Sequence, residues 1–258
     1  LGVCTMTIGR TVNKHTRVYA DGYDLSGNTR TIGPLAWTFD EGDLTCLPDE
    51  VKGALPGHAT LGIGTLNGVF SNTATTGLHT VMSTAGVKRT VMIPIGIQTA
   101  PAQGDPVYMG QFEQSGYQQE EAYVNIPFAL PSVTNTTLLY DKPWGWLLHA
   151  KGAETAVNTA VGIDDNGAST AFGGYMMYQV FAGNGTATIK VQDAATNTNP
   201  SFSDLSGCTS GSINCATVQY GIVPITRTAT VRRYLRWQIV FGTATTVTFA
   251  LSFVRATY

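Results

Sequence analysis

Alternation of apolar and polar side chains near the C-terminus constrains this chain more than any other feature. Over 234–241, Leu235, Trp237, Ile239 and Phe241 fall on one side, and Tyr234, Arg236, Gln238 and Val240 on the other. Over 246–253, Val247, Phe249, Leu251 and Phe253 alternate with Thr246, Thr248, Ala250 and Ser252. Successive side chains of a strand point to opposite faces of its sheet, so a period of two marks a strand with one face buried. The Gly242-Thr-Ala-Thr link predicts a hairpin between these two strands. Strands at 175–181 and 186–193 flank Gly183-Asn-Gly185 and predict a second hairpin, with Ala187, Ile189 and Val191 turned inward. Short strands at 217–222 and 226–231 complete a β-sandwich over 151–258.

The first half predicts strands at 16–20, 31–39, 59–66, 90–97, 106–115 and 121–128. Between them, 40–56 holds acids, Pro and Gly with no period, and reads as a long projecting loop. One helix is predicted over 76–84, capped by Thr75 or Thr76, with Leu78, Val81 and Met82 on one face and Gly86 as its stop. A β-barrel or sandwich with that helix across an opening fits 1–150. The run Tyr140-Asp-Lys-Pro-Trp144-Gly-Trp146 predicts a turn between units, which puts the boundary near 150. The fold class is therefore mainly β, in two units, 1–150 and 151–258.

Composition says how such a fold stays in solution. Only 12% of residues are charged, against about a quarter in ordinary soluble domains, while the chain carries 37 threonines and 29 glycines. Sheet edges are commonly guarded by Lys or Glu, so a β chain with this little charge is expected to hide surface against partners. A formal net charge of -2 argues against a general nucleic-acid binder. No apolar run reaches the roughly 18 residues that a membrane-spanning helix needs. The start, Leu-Gly-Val-Cys-Thr-Met-Thr-Ile, has neither the pattern of a signal peptide nor an initiator Met, so residues ahead of it are expected either to have been removed or to lie outside this sequence.

The chemistry-bearing residues form no catalytic set. No serine sits in Gly-x-Ser-x-Gly. Gly62-x-Gly64-x-x-x-Gly68 lacks the Lys-Ser/Thr of a phosphate loop. His15, His58, His79 and His149 are scattered, so neither metal nor cofactor is expected. Asp164-Asp165-Asn166-Gly167 begins like a calcium loop but has Tyr175 at the twelfth position, and reads as a turn. Asp21 and Asp24 read as another turn, with weak cation binding as the alternative. Cys208 and Cys215 flank a Gly/Ser-rich stretch that could close as a disulfide, and Cys4 and Cys46 could pair if the fold brings them together; four free thiols are the other reading. Arg227, Arg232, Arg233, Arg236 and Arg255 crowd the C-terminal end beside Tyr234 and Trp237. Because Trp237 falls on the apolar face, they read as inter-strand or inter-subunit partners rather than a nucleic-acid platform.

The stretches Tyr19-Ala-Asp21-Gly-Tyr-Asp-Leu-Ser-Gly27, Val51-Lys-Gly-Ala-Leu-Pro-Gly57-His-Ala-Thr-Leu and Leu66-Asn-Gly-Val-Phe70 resemble tail tube and related virion structural proteins of tailed bacteriophages. Gly173-Gly-Tyr-Met-Met-Tyr-Gln-Val, Gly185-Thr-Ala-Thr-Ile-Lys-Val-Gln-Asp, Arg233-Tyr-Leu-Arg236 and 247–255 look like the C-terminal module such proteins often carry. The resemblance implies a virion tail subunit, made in the bacterial cytoplasm, that forms hexameric rings stacked into a tube. It would contact other virion proteins and no membrane, and viral DNA would pass through the lumen without sequence-specific binding. It also implies that 40–56, with Asp40, Asp43, Cys46, Asp49 and Lys52, is an assembly loop reaching a neighbouring ring, and that 151–258 faces outward. Unlike the family, the chain carries cysteines and Trp144-Gly-Trp146. The alternative is a capsid decoration or surface-adhesion module that binds glycan through exposed aromatics such as Tyr175 and Tyr178. A hydrolase is third, with no constellation behind it.

Overall fold

The computed structural model describes residues 13–43, 45–46, 53–97, 99–129, 142–165 and 168–256. Two short strands, β1 (Tyr19–Ala20) and β2 (Tyr23–Asp24), are followed by β3 (Thr29–Ile32), β4 (Leu35–Asp43), β5 (Ala54–Ile63) and β6 (Thr65–Val69). The helix α1 (Leu78–Met82) precedes β7 (Val87–Pro94), β8 (Pro106–Gln114), β9 (Gln118–Glu120) and β10 (Tyr123–Pro127). Next come β11 (Trp144–Glu154), β12 (Ile163–Asp164), β13 (Gly174–Gly183) and β14 (Thr186–Ala194). The chain ends with β15 (Ser203–Thr209), β16 (Ile213–Asn214), β17 (Gln219–Ile225), β18 (Tyr234–Phe241) and β19 (Val247–Arg255). The fold is mainly β, as the alternation predicts.

One eight-stranded sheet, β17-β13-β19-β11-β8-β7-β1-β2, organises the molecule. It curls until its ends approach, β2 coming against β13 and β17 against β7. Side chains bridge that seam. Gln179 of β13 accepts from the Gly22 N–H at 2.5 Å and donates to the Thr90 carbonyl at 3.0 Å. Asp21, in the left-handed region at φ 51°, accepts from Thr90 N and Arg89 at 2.8 and 3.0 Å. A side chain at Gly22, whose φ is +82°, would run into Val218 and the Val180 carbonyl.

Alternation then assigns three cores. Tyr19, Met92, Val107, Met109, Leu147, Tyr175, Met177, Ala250 and Val254 pack on one face of the curled sheet. On its other face, β13 and β19 are covered by the smaller sheet β12-β18-β14-β15, burying Ile189, Val191, Leu235, Trp237, Ile239 and Phe249. Farther along that face, β7 and β8 are covered by α1 and the sheet β3-β6-β10-β9, burying Leu66, Leu78, Met82, Ile93, Phe112 and Ile126.

Several expectations need correcting. Neither predicted hairpin forms: β13 pairs with β19 and β14 with β18, so each connection is an arch from one sheet to the other. The two arches hold each other, Asn184 donating to Thr245 Oγ1 at 2.8 Å and accepting from the Thr245 N–H at 2.8 Å. Position 150 is not a boundary. It lies inside β11, which pairs with β8 on one side and β19 on the other, so the two halves share a sheet and a core. Gly145 lets Trp144-Gly-Trp146 be strand rather than turn, since a Cβ there would lie 2.3 Å from the Phe253 carbonyl oxygen. Residues 226–231 make a turn and a single bridge from Val231 to Thr170. The helix is shorter than predicted and begins at Gly77 without a side-chain cap, the Ser71 carbonyl accepting from the His79 N–H. Leu78 and Met82 are buried as expected, and Val81 packs beside them.

Candidate functional site

The interval expected to be a loop is mostly ladder. Among the described residues β4 and β5 pair only with each other, from Leu35↔Ile63 at the root to Asp43↔Ala54 at the tip, with a bulge between Phe39 and Glu41. Prolines and acids hid the period, and the bulge shifted it by one residue. Leu35, Leu61 and Ile63 sink the root into the core shared with α1. Tyr108 anchors it, its hydroxyl lying 2.8 Å from the carbonyl oxygens of both Ala36 and Gly62. Burial pushes that phenol up to about 12, so it stays a donor at any ordinary pH.

Beyond the root the arm leaves the body. From Thr38 to Asp43 every β4 residue is exposed, a run of about 20 Å at strand rise. Phe39 is 41% exposed and Leu55 57%. The Trp37 ring packs against Phe39 at 5.4 Å, while its buried indole N–H meets no acceptor. Asp40, Glu41 and Asp43 line the outer half of β4, and the Asp43 carboxylate takes the Thr45 N–H and hydroxyl at 2.9 and 2.6 Å. Cys46 is exposed beside that turn. Asp49 and Lys52 lie outside the described residues, as does Cys4, so its pairing with Cys46 does too.

The other sequence candidates resolve into internal partners. Cys208 and Cys215 are both buried free thiols, not a disulfide. Cys208 sits beside Val191 and Cys215 beside Ala187, four residues along β14, a separation of about 13 Å. A disulfide needs Cα atoms within about 7 Å. Burial pushes both thiols up, away from the reactive thiolate. Asp21 meets Arg89, and Asp24 meets Lys151 at 2.6 Å. Asp164 meets Arg233 at 2.5 Å, and Asp165 meets Arg255 at 2.6 Å inside the protein. No cluster of three metal-ligating side chains occurs among the described residues. Arg232 binds Asp193, and Arg236 reaches Gln192, Asn199 and the Ala160 carbonyl over the Phe202 ring, so these arginines tie strands within one chain. Tyr175 and Tyr178, offered as exposed glycan-binding aromatics, are buried, and the Tyr175 hydroxyl donates to the Lys142 carbonyl.

A feature that sequence reading missed lies beside β3. A cleft of about 230 Å³ is lined by Lys14, Arg17 and Arg30 with Thr16, Ser26, Thr29 and Thr31, and among the described residues no acidic one lines it. Lys14 and Arg17 stand three residues apart and Arg30 thirteen farther on, so no continuous charge run signals them. The fold gathers them.

No protein-family model matches the chain, and no curated protein does. Among solved structures, it aligns with the crystal structure of the SPP1 Dit (gp 19.1) protein, a paradigm of hub adsorption apparatus in Gram-positive infecting phages. That alignment covers 93% of this chain and 99% of the other at 12% identity, with a TM-score of 0.31, a superposition too loose to carry an argument.

Proposed function

We propose that this chain is a self-assembling structural protein of a tailed-bacteriophage virion, a tail tube subunit whose rings, hexameric by resemblance, stack around a DNA conduit. The observation that carries the reading is the β4–β5 arm. A two-stranded hairpin alone is marginal in water, and among the described residues neither edge of this one pairs further, which leaves backbone groups for an incoming strand. Its exposed Phe39 and Leu55 belong to surface that a partner covers. An arm rooted in one copy and received by another surface of the next makes a heterologous contact, the kind that closes into rings or propagates as a stack. In this reading the chain is not an enzyme, and a hydrolase screen should find no turnover that one acidic residue controls.

Negative-stain microscopy of the purified chain tests it. Rings or stacked tubes are expected for the intact protein, and a folded monomer for a variant lacking 43–53. Tubes of normal length from the deletion variant would give the arm another purpose.

A further inference from the structure

The geometry points to the basic cleft beside β3 as the receptor for the acidic outer half of the β4–β5 arm of a second copy of this chain. This rests on the assembly reading and names the surface that receives the arm.

Complementarity carries the inference. The cleft gathers Lys14, Arg17 and Arg30, three of the chain's 15 basic residues, with no carboxylate in its lining among the described residues. The nearest acids stand at its margins: Asp24 is held by Lys151 and by the Ser26 N–H, and Glu120 lies across Arg30 in the adjoining cleft. Arg17 spends one of its nitrogens on the Lys14 and Thr16 carbonyls, which fixes its head at the cleft edge. Arg30 lies over the Tyr123 ring at 4.7 Å, held towards the opening. The Thr16, Ser26 and Thr31 hydroxyls add donors suited to carboxylates, while the Thr29 hydroxyl donates to the Leu25 carbonyl.

The arm presents the opposite pattern. Asp40, Glu41 and Asp43 succeed one another on an exposed strand without a basic residue among them, and Asp40 sits at the bulge, where the ladder leaves one residue unpaired. An exposed pair of charged groups is worth little alone, but three cations in a cleft facing an acidic strand form a network, and docking removes them from water. The same face cannot serve its own arm: Arg30 to Ile32 lead through Gly33-Pro34 straight into the buried root, and the exposed acids lie farther out along the strand.

Charge reversal tests this. Lys14→Glu with Arg30→Glu makes one variant, Asp40→Lys with Glu41→Lys a second, and all four changes a third. All four side chains are exposed, so circular dichroism melts should match the parent and confirm folding. Sedimentation velocity and negative stain should show assembly lost in the first two variants and regained in the third, and the parent's assembly should weaken as salt rises. Parent-like assembly of either reversed variant, or failure of the folded third to recover, would overturn the inference while leaving the assembly reading intact. An intact chain that never assembles would sink that reading itself. A fluorescent DNA duplex at low salt provides the remaining arm. If reversal of Lys14 and Arg30 abolishes duplex binding and leaves assembly unchanged, the cleft is a phosphate site and the inference fails.

Discussion

The body and the arm use the same scarce charges in opposite ways. In the sandwich end of the body, Arg232, Arg233 and Arg255 each meet an aspartate of the same chain, and Arg236 lies buried among amides, a carbonyl and the Phe202 ring. In the arm, Asp40, Glu41 and Asp43 stand on an exposed strand that pairs, among the described residues, with β5 alone. The difference shows that low charge is not a uniform property of the surface. In one region the charges are met within the chain, and in the other they stand on exposed strand.

Cutting the body should have the largest effect. Residues 151–258 alone lose β7, β8 and most of β11, together with Tyr19, Met92, Val107, Met109 and Leu147 from the core that Tyr175, Met177, Ala250 and Val254 share. That fragment should aggregate or melt without cooperativity. A soluble fragment with a cooperative melt would show that the body is two units after all. Next comes the buried pair. Arg255→Ala takes the guanidinium away from the buried Asp165 carboxylate, and removing one member of a buried ion pair costs roughly 3–5 kcal/mol. Urea unfolding of the single variant should show a loss of that order, and a loss under about 1 kcal/mol would mean that water already reaches the site.

How much of this was legible follows from what alternation can report. It located β18, β19, β13 and β14 closely, and the inner faces of β18, β19 and β14 correctly, because a strand with a buried face has the same period whichever strand it pairs with. It could not separate a hairpin from an arch. The signal that separates them was nevertheless present in the other face. β18 turns Arg236 and Gln238 away from the sandwich, whereas β19 carries Thr248, Ala250 and Ser252, small groups that fit against the third core. β13, with its unbroken Gly-Tyr-Met-Met-Tyr-Gln-Val, differs from β14 in the same sense, as strands buried on both faces do. β11 was hidden by Gly145 and by register shifts between Leu147 and Gly152. At the candidate site, the position of the arm and its acids was legible, its ladder was not, and the cleft, although lined from 14–32 alone, depends on how the chain turns between Lys14 and Ile32 and not on a run of charge.

Smaller effects probe where body and arm join. Tyr108→Phe removes the hydroxyl shared by the Ala36 and Gly62 carbonyls and should cost about 1 kcal/mol. Hydrogen exchange should quicken in β4 and β5 while β13 and β19 stay protected; equal loss throughout would show that the arm root is part of the body's cooperative unit. The body should also report pH through His149. Burial lowers its pKa, while the hydrogen bond and charge of Glu154 and the Phe249 carbonyl act more weakly in the opposite sense. The unfolded chain therefore takes up this proton first, so the contribution is complete above about pH 6.5 and is lost as pH falls below it. Melting temperatures across that window should fall with pH in the parent and more shallowly in His149→Gln. Parallel curves would assign the loss to other groups.

The smallest effect on stability should come from the arm's outer half. Phe39→Ser and Leu55→Ser remove apolar side chains that the single chain leaves 41% and 57% exposed. Surface substitutions of this kind usually stay within about 0.5 kcal/mol, so the monomer's melt should barely move. Assembly should respond far more, because the same atoms become interior once a second copy covers them, and burial of apolar area is the dominant favourable term in association. The contrast between an unchanged melt and a raised concentration threshold for rings is what distinguishes a region completed by a partner from one that is merely exposed. If the two serine variants assemble at the parent's threshold, the apolar arm surface is incidental, and the acids beside it carry the contact alone.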